Sequence, residues 1–385
     1  MNDSFRRLLP TSVAIALLTL TATNANTQSN SVADPIRVTL SSESANLNGT
    51  DDVTVNVDMT NVGSVPVFVP KWYLPSQTST SGVFTITRDG EPVQYLGALV
   101  KRQRFSAEDF VKIAAGESLH FKVELSALYD LSATGVYNLQ YDAPSVQMLR
   151  GPAGNAATAE RLAAQAQSQP QLQDLASNTI ALTITGDASV EASRAADRAA
   201  ASANETAAPA FAPISYVGCS NTRMSQIQTA LSSAESYASN ALGYLNAGTR
   251  GSRYTTWFGT YNSSRYSTAR SNFSQISDAA SNRSMTFDCS TCPGTSNASA
   301  YAYVYANAPY RIYLCNAFWA APNTGTDSRA GTIIHEVSHF TVVAGTSDYA
   351  YGQSAARSLA TSNPARAVRN ADSHEYFAEN TPFMN

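Results

Sequence analysis

The chain's most reactive-looking residues are His335, Glu336 and His339, set in Gly331-Thr332-Ile333-Ile334-His335-Glu336-Val337-Ser338-His339-Phe340. On a helix, positions i and i+4 share a face, so both imidazoles of an HExxH segment can reach one metal ion. Glu336 would then stand beside a water on that metal. Zinc lowers the pKa of such a water, and the carboxylate takes its proton as the oxygen attacks a carbonyl carbon. HExxH alone also occurs on solvated helices that bind nothing. Here Ile333, Ile334, Val337 and Phe340 predict a buried helix. A buried segment with two imidazoles and a carboxylate needs partners for that charge.

A catalytic zinc requires a third protein ligand and one open position. The metzincin pattern would place Gly and His at the third and sixth positions after His339. Val342 and Gly345 stand there, so that class is excluded. A thermolysin-like third ligand would be a Glu on a following helix, and Glu375 is the candidate. Asp348 offers another route, within Gly345-Thr346-Ser347-Asp348-Tyr349-Ala350-Tyr351-Gly352. Gly345 permits the turn that would swing its carboxylate back under the helix.

The compound pattern, HExxH followed by GTxDxxYG, resembles the deuterolysin, or aspzincin, metallopeptidases, and among them the peptidyl-Lys metalloendopeptidases. The likeness runs over roughly Tyr216 to Asn385. It implies a zincin-type α+β catalytic domain with one zinc ion held by His335, His339 and Asp348, and Glu336 as general base. It implies that the Tyr351 hydroxyl stabilises the tetrahedral oxyanion, a role a phenol donor can fill. It also implies disulfides Cys219–Cys289 and Cys292–Cys315.

Downstream, Asp372 and Glu375 are spaced i, i+3 and share a helix face. An acidic face beside Arg366 and Arg369 is one reading. The resemblance implies another, in which both carboxylates bind the ammonium of a substrate lysine just C-terminal to the cut. Lysine distribution fits the second. Lys71, Lys101, Lys112 and Lys122 are the only lysines, and none follows Lys122, while the last 172 residues carry 11 Arg. A protease that cuts at lysine is spared self-digestion by having none.

Several elements must position this machinery. Met224–Leu245 and Tyr266–Ala280 have helical periodicity, Ala300–Leu314 alternates like strands, and Thr332–Phe340, Gly352–Leu359 and Ala365–Ala378 read as helices. Ahead of them, residues 34 to about 148 alternate as short strands, with a hairpin signal at Asp89-Gly90. An immunoglobulin-like sandwich is expected over 26–185, closed by Thr179–Ile184. A polar, Ala-rich linker at 186–213 is a candidate processing site. It lacks lysine, so either another protease cuts, or Arg is tolerated at Arg161, Arg194 or Arg198, or cleavage falls at the lysines within the N-terminal domain. The catalytic domain spans 214–385. The sandwich is expected to be a propeptide acting as an intramolecular inhibitor, one of its lysines filling the acidic pocket. Which lysine does so is left open by the sequence. An attached adhesion module is the competing reading.

Arg6, Arg7, the mostly apolar Leu8–Leu20 and small residues to Ala25 read as a signal peptide over 1–25. The apolar run is short of the ~20 residues that a membrane span needs. Cys219, Cys289, Cys292 and Cys315 are even in number, and in an exported chain they predict structural disulfides rather than a CxxC metal ribbon. A net charge of −4 without basic runs gives no footprint for nucleic acid. These features predict a secreted endopeptidase acting on proteins or peptides on the N-terminal side of lysine. An inactive zincin-like binding protein and a hydrolase of small amides are the other readings.

Overall fold

Alternating apolar residues set the N-terminal ladders. Ile36–Ser41, Thr54–Asn61 and Ser118–Glu124 pair antiparallel, and Val38, Leu40, Val55, Val57 and Met59 point into one core. The computed structural model describes residues 35–49, 51–75, 82–151, 164, 172–189, 191–193, 196 and 214–385. The expected signal segment 1–25 and the possible cleavage sites at Arg161, Arg194 and Arg198 lie outside the described residues. A second sheet centres on the long strand Gly135–Gln147, flanked by Phe84–Arg88 and Ile180–Thr185. The latter is the strand read from Thr179–Ile184. Asp89 and Gly90 have φ of 51° and 91° and close the hairpin that pairs Arg88 with Glu91. Two successive left-handed residues match the twist of the flanking strands, and Asp-Gly adopts them readily. A third ladder joins Leu149–Arg150, Val67–Pro70 and Phe110–Ile113. The N-terminal region is therefore β-rich.

The C-terminal region is α+β. Its long helix, Asn221–Asn246, buries Ile227, Ala230, Leu231, Ala234, Ala238, Ala241 and Leu245. That stripe has the 3.6-residue period, and its alanines let neighbouring helices approach closely. They are Ser263–Asn282 and Arg329–His339, the helix that carries the HExxH segment. Caps place both long helices' starts three residues ahead of their apolar patterns. Ser220 Oγ accepts the Arg223 amide, and Asn262 Oδ1 accepts those of Ser264 and Arg265. The helix expected over Ala365–Ala378 is instead two, Pro364–Ala367 and Ala371–Glu379. The break falls at Asn370, whose side chain binds the chain at 349–350, while Ser347 bridges the backbone of Arg369 and Ala371.

Strand order in the C-terminal sheet runs Ser215–Val217, Thr286–Asp288, Arg311–Leu314, Ala302–Tyr305 and Ala98–Lys101. The first three are parallel and the remaining pairs antiparallel. Ala98–Lys101 comes from the span expected to form a separate sandwich. It adds itself to the free edge of the C-terminal sheet, so Asp34–Asn385 makes one compact unit. No helix among the described residues is long and apolar enough to cross a membrane.

Two disulfides, Cys219–Cys289 and Cys292–Cys315, form just beyond the ends of strands Ser215–Val217, Thr286–Asp288 and Arg311–Leu314. Between them Asp288 is a hub. It accepts the amides and hydroxyls of Ser290 and Thr291, and Arg311 Nη2 at 2.8 Å. Burial opposes its charge, but Arg311 and these donors outweigh burial and hold the carboxyl well below its usual range. We expect Asp288→Asn to lower stability by about 1.5–3 kcal/mol, the loss typical of hydrogen bonds to a charged group. Because the folded pKa is depressed, the Asp288 contribution is complete above about pH 4 and disappears on acidification. Thermal melts of both proteins from pH 3 to 7 should converge towards the acid end. Parallel curves would contradict this.

Candidate active site

Ser328 caps the active-site helix, its Oγ accepting the Gly331 amide at 2.9 Å. Glu379, at the end of helix Ala371–Glu379, in turn accepts the Ser328 amide and hydroxyl at 2.9 and 2.7 Å. A Cβ on Gly331 would collide with the Glu379 carboxylate, so glycine is what lets the two helices meet here. Every residue from Ala330 to His339 is buried. The two imidazoles share a face, with ring centroids 4.8 Å apart.

Past Phe340 the chain doubles back. Gly345 is left-handed, with φ of 56°, and the Thr346 amide donates to Ser338 O at 3.1 Å. Thr346 O accepts His339 Nδ1 at 2.9 Å. Asn370 is fully buried, and its Oδ1 accepts the Tyr349 and Ala350 amides at 2.9 and 3.0 Å. So clamped, the loop directs Asp348 Oδ1 to 3.2 Å from His335 Nε2 and 3.4 Å from His339 Nε2. These pairs lack hydrogen-bond geometry despite their closeness. Both Nε2 atoms, Asp348 Oδ1 and both Glu336 oxygens are buried without a hydrogen-bond partner among the described residues. Unpaired buried polar atoms are costly, so several converging on one point indicate a missing ligand. Neighbouring ligands in a tetrahedral zinc site with bonds of about 2.0–2.1 Å lie about 3.3–3.4 Å apart, which is the spacing found here.

Electrostatics agree with the fit. Burial works against an imidazolium at His335, yet Asp348, followed by Asp372 and Glu375, outweighs it and holds the ring's pKa well above its usual value. His335 and His339 likewise outweigh the burial of Asp348 and hold its carboxyl far below the usual range. The pocket demands positive charge. Burial pushes the Glu336 carboxyl up to about 7, against the downward pull of the two histidines.

A second carboxylate cluster lies behind His335. Its Nδ1 is 2.8 Å from Asp372 Oδ1 and 3.4 Å from Glu375 Oε2. Asp372 Oδ2 also accepts the Gly352 amide at 2.6 Å. Both carboxylates are buried, at 2% and 0% exposure, which rules out a solvated acidic face. Arg366 pairs with Asp174 instead. Lys101 fills this pocket at 1% exposure, its Nζ 2.5 Å from Glu375 Oε2, 3.8 Å from Asp372 Oδ1 and 3.9 Å from Asp327 Oδ1. The Tyr301 and Tyr376 ring centroids lie 5.0 and 5.8 Å from the same atom. Burial disfavours the ammonium, but Glu375, Asp372 and Asp327 outweigh it and keep it charged. Burial raises Glu375 while Lys101 lowers it. The 2.5 Å contact is that of an ammonium on a carboxylate, and we take the pair as ionised.

Tyr351 packs edge-on against Trp72 of the N-terminal region, ring centroids 6.4 Å apart. It lines a cavity of about 350 Å³ together with His339, Asp348 and Leu99. His374, beside the acidic pair in sequence, is packed away from it. Its Nδ1 faces Asn370 O at 2.9 Å, its Nε2 meets Asn272 at 3.0 Å, and burial pushes its pKa down to about 4. The structure thus brings His335, Glu336, His339, Asp348, Asp372 and Glu375 together. Sequence reasoning did not single out Asn370, Asp327, Tyr301 or Tyr376, which hold the Asp348 loop or line the lysine pocket. The one available signal was the Asn370 side chain, placed directly before an acidic helix as a capping residue would be.

Comparison with known proteins agrees with this geometry. Residues 244–379 match the aspzincin family, described as lysine-specific metallo-endopeptidase. The chain is 45% identical to an extracellular protease of Aeromonas hydrophila, over 87% of this chain and 90% of that one. It is 36% identical to a peptidyl-Lys metalloendopeptidase of Grifola frondosa, again over 87% and 90%. A peptidyl-Lys metalloendopeptidase of Pleurotus ostreatus is 56% identical across 98% of its own length and 44% of this chain. With buried imidazoles and carboxylates converging as they do, and with relatives this similar over most of both chains, the protein belongs to the aspzincin family of metalloendopeptidases.

Proposed function

We propose that the chain is the secreted precursor of a zinc-dependent endopeptidase that cuts peptide bonds on the N-terminal side of lysine. The observation that carries this reading is the lysine ammonium seated among Glu375, Asp372 and Asp327, directly behind the imidazole of His335. A pocket that charges and cages one buried lysine side chain is built to select lysine.

His335, His339 and Asp348 would hold the zinc ion. The chemistry a zinc ion supplies in such a cage is Lewis acidity and a water acidified towards neutrality. Glu336 would take the proton of the attacking water and return it to the leaving amine, acting first as general base and then as general acid. Tyr351 would donate to the developing oxyanion. Outer contacts set the two ligands. Thr346 O fixes the His339 ring, and Asp372 faces the outer nitrogen of His335. Asp372 therefore serves both the metal ligand and the lysine pocket. Residues 26–185 are read as an immunoglobulin-like propeptide and 186–213 as the linker. A relative contained almost whole within 44% of this chain fits a catalytic unit released from a longer precursor. Secretion is supported by the two disulfides and by the Aeromonas hydrophila relative's name as an extracellular protease.

Digestion of a proteome-derived peptide library by the processed enzyme, read by mass spectrometry, should place cuts before lysine. Chelation should abolish cleavage and zinc should restore it. Glu336→Gln should lower kcat by about 10²–10⁴-fold without loss of metal. A metal-independent activity would defeat the reading. Glu375→Gln should reduce kcat/KM for Xaa-Lys bonds by about 30-fold or more, since unpairing a buried charge costs about 2 kcal/mol or more. An unchanged lysine preference in that variant would remove Glu375 from the pocket.

A further inference from the structure

We infer that the N-terminal region holds the precursor latent by presenting Lys101 as a substrate mimic. The inference rests on the reading of the acidic pocket as the substrate-lysine site. It adds the occupant, its backbone register and the state of the enzyme that results.

Three contacts carry it. First, Lys101 alone among the lysines is buried. Lys71, Lys112 and Lys122 are exposed, and their side chains lie elsewhere in the N-terminal region. Second, the lysine arrives on a strand. Ala98–Lys101 pairs antiparallel with the sheet edge, Ala302 opposite Lys101 and Tyr305 opposite Ala98. The Tyr301 amide donates to Lys101 O at 2.9 Å. An extended peptide added to a free sheet edge, with a side chain in a specificity pocket, is how substrate-like segments are bound. The neighbouring Leu99 lines the cavity shared by His339, Asp348 and Tyr351, so the strand runs from that cavity to the lysine pocket. Third, flanking contacts lock the strand in place. Gln103 donates to Ser299 O, Trp72 packs on Tyr351, and Arg366 of the catalytic domain pairs with Asp174 at 2.6 Å. The strand therefore occupies the specificity pocket and the sheet edge that a substrate would use, while Trp72 of the same N-terminal region covers a face of Tyr351.

A substrate can enter only when this segment leaves. If the open form is a minor population, apparent affinity for a lysine peptide falls by that fraction, about tenfold or more for an open population of a tenth or less. The N-terminal region is covalently attached, so its local concentration favours reclosure.

The test uses the full-length chain carrying Glu336→Gln, which slows turnover so that binding can be read. Binding of a fluorescent lysine-containing peptide is compared with and without Lys101→Met, a change that keeps the strand's bulk but removes the ammonium. Lys112→Met, at an exposed lysine, is the control. We expect the Lys101→Met chain to bind at least about tenfold more tightly than its parent, and Lys112→Met to match the parent. Equal binding by all three would overturn the inference. A second measurement needs no change at Lys101. Amine acylation of the Glu336→Gln chain, mapped by mass spectrometry, should modify Lys71, Lys112 and Lys122 but spare Lys101 until excess lysine peptide is added. Acylation of Lys101 at the rate of Lys112 without peptide would also overturn it. Failure of the underlying pocket reading would look different, as library cuts by the processed enzyme without lysine enrichment.

Discussion

The site is organised by a surplus of buried negative charge around a single imidazole. Asp348 lies at one nitrogen of His335, and Asp372 and Glu375 lie at the other. Glu336 is buried beside them. Carboxylates removed from water are tolerated only when paired, and two cations answer this group. One would be the metal ion proposed for His335, His339 and Asp348, whose ligand atoms have the spacing of a tetrahedral zinc site. The other is a lysine ammonium. In the proposed reading, specificity and catalysis share one electrostatic core, with His335 between the two carboxylate clusters.

Local structure serves that arrangement at each step. Ser328 and Glu379 start the active-site helix, and Gly331 lets the C-terminal helix approach it. A left-handed Gly345 reverses the chain, and Asn370 fixes the loop so that one carboxylate oxygen reaches both imidazoles. The break between Pro364–Ala367 and Ala371–Glu379 is the cost of freeing Asn370 for this task. The sheet contributes an edge, and that edge is occupied by Ala98–Lys101 of the chain's own N-terminal region.

Much of this was legible in the residues. HExxH with apolar neighbours announced a buried helix, Gly345 announced the return of Asp348, and the i, i+3 pair announced a shared acidic face. Asp89-Gly90 and the alternating runs marked the hairpin and ladders. Other features left no local trace. The strand Ala98–Lys101 is four residues with a single apolar pair at its centre, and its partner lies some two hundred residues away. Strand formation there depends on an edge that only the folded catalytic domain provides. Asp327 reaches the lysine pocket from a left-handed loop position, and Tyr301 and Tyr376 are two aromatics among many. Long-range pairing also explains why a domain boundary drawn from composition missed a strand that crosses it.

The central claim is that two cations of different kind occupy two separate carboxylate clusters on either side of His335. Anomalous scattering at the zinc edge from crystals of the zinc-loaded Glu336→Gln precursor tests it most directly. The account predicts one peak among His335 Nε2, His339 Nε2 and Asp348, with the Lys101 ammonium still on Glu375. A peak among His335, Asp372 and Glu375 with Lys101 displaced, or no peak at either cluster, would contradict it.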